Sequence, residues 1–137
     1  MITAVDTNVL LDIFGADPAF GQRSSEWLKR CLSEGAVHAC DVVWAETATA
    51  FPTTRRFEEA MATLGVEFSP LTRPATLLAA HAWRRFRSKG GKRDRVAADF
   101  LIGAHAAEQC DRLLTRDRGF YRAYFDRLTV ADPSARR

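Results

Sequence analysis

Short apolar runs alternate along the chain with amphipathic stretches. Ile2 to Val5 is apolar and β-branched at Ile2, Thr3 and Val5, so it reads as a buried strand. Asp6-Thr7-Asn8 follows at once. These residue types cap helices, so the apolar run Val9 to Leu11 reads as the start of a helix. Gly15-Ala16-Asp17-Pro18 is a turn. Phe20 to Leu32 carries a helical stripe at Trp27, Leu28, Cys31 and Leu32, and Glu34-Gly35 ends it. Ala36 to Cys40 reads as a second strand, with Asp41 as N-cap of an apolar helix over Val42 to Ala48. Pro52 breaks that region. Thr53 and Thr54 cap a helix over Arg55 to Leu64 that stops at Gly65, and Val66 to Phe68 is a third strand. Pro74 sits well at a helix start, and the helix Ala75 to Arg87 stops at Gly90-Gly91. Val96 to Cys110 is helical, with Phe100, Leu101, Ala104 and Ala107 on one stripe and Asp99 beside it. Leu113-Leu114 is a fourth strand ending in Thr115-Arg116-Asp117. Arg118 to Phe125 is a short helix, Leu128 to Val130 a last strand, and Asp132 to Arg137 a loose polar tail.

This alternation predicts an α/β fold with a mainly parallel sheet of about four to five strands, covered by helices on both faces. No repeat or linker divides the chain, so residues 1–131 read as a single domain and 132–137 as its tail. The length of 137 residues, 47% hydrophobic and 27% charged, fits one globular domain with a real core. No apolar run approaches the roughly 18 to 20 residues that span a bilayer, and no signal-peptide pattern opens the chain. No membrane association is expected, and the cytoplasm is the expected location. Cys31, Cys40 and Cys110 are odd in number and lack metal-ligand spacing; they read as small buried hydrophobes. His38, His81 and His105 are isolated from one another and read as packed or surface residues.

Charge adds a local feature. Seven cations and one acid lie between Arg84 and Arg95, a net +6, which leaves −3 for the rest of a chain of net charge +3. A basic patch on a slightly acidic protein suggests a polyanionic partner. A solvated helix end and loop would carry the same charges. Seventeen of the twenty basic residues are Arg, which suits bidentate phosphate contacts.

Asp6, Glu46, Asp99 and Asp117 each lie where an apolar stretch meets a turn or an early helical turn. Acids are rarely buried unless paired or metal-bound. In a parallel sheet the carboxyl ends of the strands share one edge, where ligands bind, and Asp6 and Asp117 both fall there. Acids sharing a cleft raise one another's pKa, and a divalent cation removes that conflict. Magnesium suits carboxylates and phosphate oxygens together, and the matching chemistry is metal-assisted phosphodiester hydrolysis. Each acid also has an ordinary reading. Asp6 serves as a cap, Glu46 as a solvated helix residue, Asp99 as a partner for Arg95, and Asp117 as a turn residue.

The four stretches Val5-Asp6-Thr7-Asn8-Val9-Leu10-Leu11-Asp12, Trp44-Ala45-Glu46-Thr47, Asp99-Phe100-Leu101-Ile102-Gly103-Ala104-His105-Ala106 and Leu114-Thr115-Arg116-Asp117-Arg118-Gly119-Phe120 also carry a family likeness. In order and spacing the chain resembles the PIN domain, in particular the toxin component of VapBC toxin–antitoxin pairs. The resemblance implies a PIN-like three-layer α/β/α fold and a Mg2+-dependent endoribonuclease, with Mn2+ as an alternative ion. Asp6, Glu46, Asp99 and Asp117 match the acidic quartet. By that likeness Asp6 and Asp99 are direct metal ligands. Glu46 and Asp117 complete the shell, and Thr7, Asn8 and Thr115 support it. It also implies an RNA substrate (tRNA or other structured or translated RNA), a cognate VapB-like antitoxin and a homodimer. Arg84, Arg85, Arg87, Lys92, Arg93 and Arg116 are the expected RNA contacts. His105 stands where a small or hydroxylated residue is more usual and is expected to serve packing or an interface. Asp94 is an extra acid with at most a minor role.

Two other readings compete. A phosphatase or phosphotransferase site needs a second acid two residues after the first and a late lysine, but Asn8 stands there and no lysine follows Lys92. A non-catalytic RNA- or protein-binding PIN module would keep the fold without cutting. Presence of all four acids argues against it.

Overall fold

The computed structural model describes residues 1–91 and 97–135. β1 (Ile2–Val5) runs into α1 (Thr7–Phe14), and α2 (Gly21–Glu34) leads back to β2 (Ala36–Ala39). α3 (Asp41–Ala48) and α4 (Thr54–Leu64) precede β3 (Val66–Phe68). α5 (Arg73–Ser88) and α6 (Ala97–Gln109) precede β4 (Arg112–Leu114), and α7 (Arg118–Tyr124) precedes β5 (Val130–Ala131). The strands form one five-stranded sheet in the order β3-β2-β1-β4-β5, and every pairing is parallel. The α/β class and parallel sheet expected from the sequence are present. All of β4 and all but Ile2 of β1 are buried, as strands covered on both faces must be.

Local chemistry explains most element ends. Asp6 caps α1 by accepting the Thr7 N–H. Thr53 and Thr72 cap α4 and α5 through the Arg56 and Ala75 N–H groups, each such cap contributing about 1 kcal/mol. Gly65 takes the left-handed conformation that closes α4, at φ 88°. In α2 the buried positions Ser24, Leu28 and Cys31 follow a helical stripe.

Three expectations are corrected. Asp41 is the first residue of α3 and not its cap; Cys40 occupies that position without a side-chain bond, and Asp41 accepts the Leu71 N–H instead. The last strand lies at Val130–Ala131, because Leu113 and Thr115 donate to Thr129 and Ala131 while the Leu128 N–H turns back to Phe125. The tail is not loose over its described part. Asp132 accepts from the Ser134 N–H at 2.8 Å and its hydroxyl at 2.6 Å, and Pro133 is buried. Val96, the expected start of α6, lies outside the described residues. No helix among the described residues is long and apolar enough to cross a membrane.

The sheet order positions the site. From β1 the chain moves to β2 and β3 on one side, then returns to β4 and β5 on the other. The carboxyl ends of β1 and β4 therefore flank the point where strand order reverses, the place in an open parallel sheet where a crevice forms. Val5 pairs with Leu114, so Asp6 and Thr115 leave the sheet side by side.

Candidate functional site

Asp6 is the buried centre of this crevice, only 5% exposed. Its Oδ1 accepts the Thr7 N–H at 2.7 Å. Its Oδ2 accepts the Thr115 hydroxyl at 2.8 Å and the Tyr121 hydroxyl at 3.0 Å, with Asn8 Nδ2 at 3.5 Å. Burial pushes the Asp6 carboxyl up to about 6; the bonds from Thr115, Tyr121 and Thr7 oppose this, and the charge of Asp99 adds to it. The Tyr121 phenol is pushed up first by burial and then by Asp6, Asp99 and Asp117, so it stays protonated and donates. The charges of Asp6, Asp99 and Asp117 thus all act on one buried hydroxyl.

The strand ends and helix starts hold the other acids. Asp99 is half-buried in the first turn of α6, and Asp117 is half-buried at the N-cap of α7. Carboxylates favour both positions, because the positive end of a helix lies there. Glu46, on α3, is exposed. Its Oε1 accepts the Thr7 hydroxyl at 2.7 Å. Thr115 joins the two ends of the sheet edge. It donates to Asp6 and accepts from the Asp117 N–H at 3.0 Å and Asn8 Nδ2 at 3.4 Å, so its hydroxyl is saturated. Asn8 closes the ring by accepting the Arg116 N–H at 3.2 Å. The structure thus brings Asp6, Thr7, Asn8, Glu46 and Thr115 into one hydrogen-bonded set, with Asp99 and Asp117 coupled to it electrostatically.

The donor set is all oxygen, from carboxylates and hydroxyls, which is the chemistry of Mg2+ and Mn2+ sites. A buried carboxylate raised by a neighbouring carboxylate is also one that a cation stabilises. By these criteria the residues fit a hard divalent ion. Among the described residues, no three His, Cys, Asp or Glu side chains stand close enough to form a ready-made metal cage. The thiols offer no nucleophile: burial pushes Cys31 and Cys40 up and Cys110 up to about 12, and all three are free.

The expected RNA contacts divide. Arg84 and Arg87 are exposed on the last turns of α5, with Arg87 5.8 Å over the Trp83 ring. Arg85 is half-buried, 5.9 Å over the Tyr124 ring, with a 3.5 Å bond to the Tyr124 carbonyl. Lys92, Arg93 and Asp94 lie outside the described residues. Arg116 is committed elsewhere. Its Nε and Nη2 meet the buried Asp12 carboxylate at 2.7 and 3.0 Å, and its guanidinium stacks on Phe20 at 4.2 Å. Asp12 is anchored in turn by the Ser24 hydroxyl at 3.0 Å. His105 is buried and bonded to the Ser69 hydroxyl at 3.0 Å, a packing residue as expected. A separate groove of about 570 Å³, lined by Phe14, Phe51, Pro52, Arg56, Glu59 and Leu64 among others, contains none of the four acids.

Sequence reasoning missed Tyr121 and Asp12 as parts of the site. For Tyr121 a signal existed. It lies one helical turn after Asp117, and a fully buried tyrosine must place its hydroxyl against an acceptor.

The PIN domain family model matches residues 3–126. Solved structures agree over nearly the whole chain. VapBC-1 of nontypeable Haemophilus influenzae is 18% identical, covering 98% of this chain and 100% of that one, at a TM-score of 0.77. VapBC2 of Rickettsia felis, bound to a DNA fragment from its promoter, is 17% identical, covering 96% and 98%, at 0.75. VapC20 of Mycobacterium tuberculosis, a sarcin-ricin loop cleaving toxin, is 20% identical, covering 93% and 98%, at 0.59. Among curated proteins no match is found.

Proposed function

Because this chain belongs to the PIN domain family, we propose that it is a Mg2+-dependent endoribonuclease, with Mn2+ as an alternative ion, and the toxin of a toxin–antitoxin pair. The observation that carries this reading is the burial of Asp6 at the β1/β4 crevice, with its pKa raised by that burial and, to a smaller extent, by the charge of Asp99, and its oxygens oriented by Thr7, Thr115 and Tyr121. A buried carboxylate that accepts from three protein donors suits a cation ligand better than a simple cap, which needs only one of those bonds.

In this reading Asp6, Asp99, Asp117 and Glu46 hold the ion. When bound, such an ion would supply Lewis-acid activation of a water for hydrolysis of an RNA phosphodiester. Thr115 keeps Asp6 and the Asp117 backbone in register, and Asn8 ties the Thr115-Arg116-Asp117 turn to α1. Thr7 links Asp6 to Glu46, so α1 and α3 present their acids together. Arg84 and Arg87, with Lys92 and Arg93, hold the RNA through its phosphates. Arg116 shapes the turn through Asp12 instead of contacting RNA.

The substrate class is structured or translated RNA, tRNA among them; the Mycobacterium tuberculosis neighbour, a sarcin-ricin loop cleaving toxin, supports an RNA target. The neighbours that are toxin–antitoxin complexes support a cognate VapB-like antitoxin that silences the chain. We further assign it as a cytoplasmic homodimer with residues 1–131 as one nuclease domain.

Asp6→Asn tests the site. It keeps shape and capping ability and removes a charge that burial disfavours, but its amide nitrogen cannot accept the Thr115 and Tyr121 hydroxyls, so a modest loss of stability is expected. Purified wild-type protein is expected to cleave total tRNA in magnesium and to stop in chelator. Asp6→Asn is expected to remain folded and to lose at least about 100-fold in rate, a loss of roughly 3 kcal/mol in transition-state stabilisation. Cleavage by Asp6→Asn at the wild-type rate would refute the metal assignment. Chelator-insensitive RNA binding without cleavage would favour a non-catalytic binding module.

A further inference from the structure

We propose that Tyr121 is a positioning residue for Asp6: its hydroxyl and that of Thr115 together hold Oδ2, so that Oδ1 is the oxygen turned to the divalent cation. This deepens the assignment of Asp6 as a metal ligand and rests on it.

A carboxylate oxygen has two lone-pair sites. At Oδ2 two hydroxyls approach within ordinary hydrogen-bond distance, Thr115 at 2.8 Å and Tyr121 at 3.0 Å, and the Asn8 amide lies at 3.5 Å. At Oδ1 the Thr7 N–H takes one site at 2.7 Å. A cation therefore meets Oδ1 without displacing a protein donor, whereas at Oδ2 it would have to expel a hydroxyl. The phenol can only donate to a carboxylate, and it has no freedom to turn away. The ring is completely buried, packed 5.2 Å from Phe120 and 6.4 Å from Phe125.

The placement also couples two ligands through one helix. α7 begins at the N-cap Asp117, and Tyr121 comes one turn later with its N–H directed at the Asp117 carbonyl at 3.5 Å. Docking of this single turn sets the backbone of Asp117 and the orientation of Asp6 at once. Residues 115 positions apart in sequence are thereby fixed relative to each other. Outer hydrogen bonds of this kind hold a ligand in its binding rotamer, and their loss costs about 10- to 100-fold in metal affinity.

The test uses the full chain and Mn2+ alone, with free Mn2+ followed by electron paramagnetic resonance. Tyr121→Phe keeps the packed ring and removes one oxygen. It is expected to weaken Mn2+ binding about 10-fold, and Asp6→Asn to abolish it. A second arm labels the wild-type chain with 3-fluorotyrosine, which reports on just Tyr121 and Tyr124, its two tyrosines. Adding Mg2+ is expected to shift the Tyr121 fluorine resonance and leave that of Tyr124 in place, and Asp6→Asn to remove the shift. A hydroxyl that merely satisfies burial would change the melting temperature and neither readout. The proposal is overturned if Tyr121→Phe binds Mn2+ as tightly as wild type or more tightly. If that variant does not fold, the absence of a Mg2+-dependent Tyr121 shift overturns it. Wild-type Mn2+ affinity in Asp6→Asn would overturn the ligand assignment of Asp6 itself, and this inference with it.

Discussion

His105 shows what burial of a titratable residue does to the pH dependence of stability. Its ring is buried against Ser69, and burial, followed by the charge of His38, lowers its pKa from an ordinary 6.5 to about 4, with Asp41 opposing. The folded state thus holds His105 neutral where the unfolded chain protonates it. Its contribution to stability is complete above pH 6.5 and is lost as pH falls toward 4. The amount is roughly 2 to 3 kcal/mol. Urea unfolding at neutral and acidic pH is expected to show this loss in wild type, and His105→Gln to flatten that part of the profile. An identical acid slope in the variant would sink the assignment. At the same scale, the placement of Asp6, Asp99 and Asp117 at a strand end or helix start was legible in the sequence, whereas Glu46 lies late in α3. The partners of the acids were not legible. Asp6 meets Tyr121 and Asp12 meets Arg116 across separations of 115 and 104 residues, which no local pattern encodes.

Among the elements, α6 carries Asp99 and packs its small-residue face closely against the chain beyond α7. A Cβ built on Gly103 would lie 2.4 Å from the ring of Phe125, itself buried. Two effects oppose each other in Gly103→Ala. Alanine gains about 1 kcal/mol in helix propensity, whereas overpacking a buried ring costs about 1 to 3 kcal/mol. The second prevails because the ring of Phe125 is itself buried and would have to shift. A net destabilisation of about 1 kcal/mol is expected in urea titration, relieved when Phe125→Leu is added. Stabilisation by Gly103→Ala alone would contradict the close approach. Helix and strand identities were readable from periodicity and caps, as with Thr53, Thr72 and Gly65. Boundaries such as Val130–Ala131 were not, because register with β4 decided them.

Over the whole molecule the basic end of α5 lies apart from the acids in sequence and is joined to them through packing. Phe100, next to Asp99, stacks on Trp83 at 5.8 Å and meets Phe86 edge-on at 5.4 Å, so α5 presents its arginines beside the start of α6. Neutralising Arg84, Arg85 and Arg87 together is expected to weaken RNA binding and to lower the salt slope of log K by roughly 1 to 2, with Mn2+ affinity unchanged. The drop is smaller than three free cations would give, because Arg85 is already engaged by Tyr124. Filter binding at several salt concentrations measures it. An unchanged affinity and slope would leave that surface without a role in RNA binding.

The sequence by itself determined the α/β alternation, the sheet's parallel character, the position of each acid relative to its element, and the local concentration of positive charge. Those features are written in neighbouring residues, through side-chain periodicity, capping and strand-end polarity. Tertiary structure alone decided which side of β1 receives β4, and with it the pairing of Val5 with Leu114 that sets Asp6 beside Thr115. It also turned Arg116 inward to Asp12 and brought the Tyr121 hydroxyl to Asp6. The reason is physical: a buried charge or hydroxyl must find its partner wherever packing places one, and strand order in the sheet sets that distance rather than spacing along the chain.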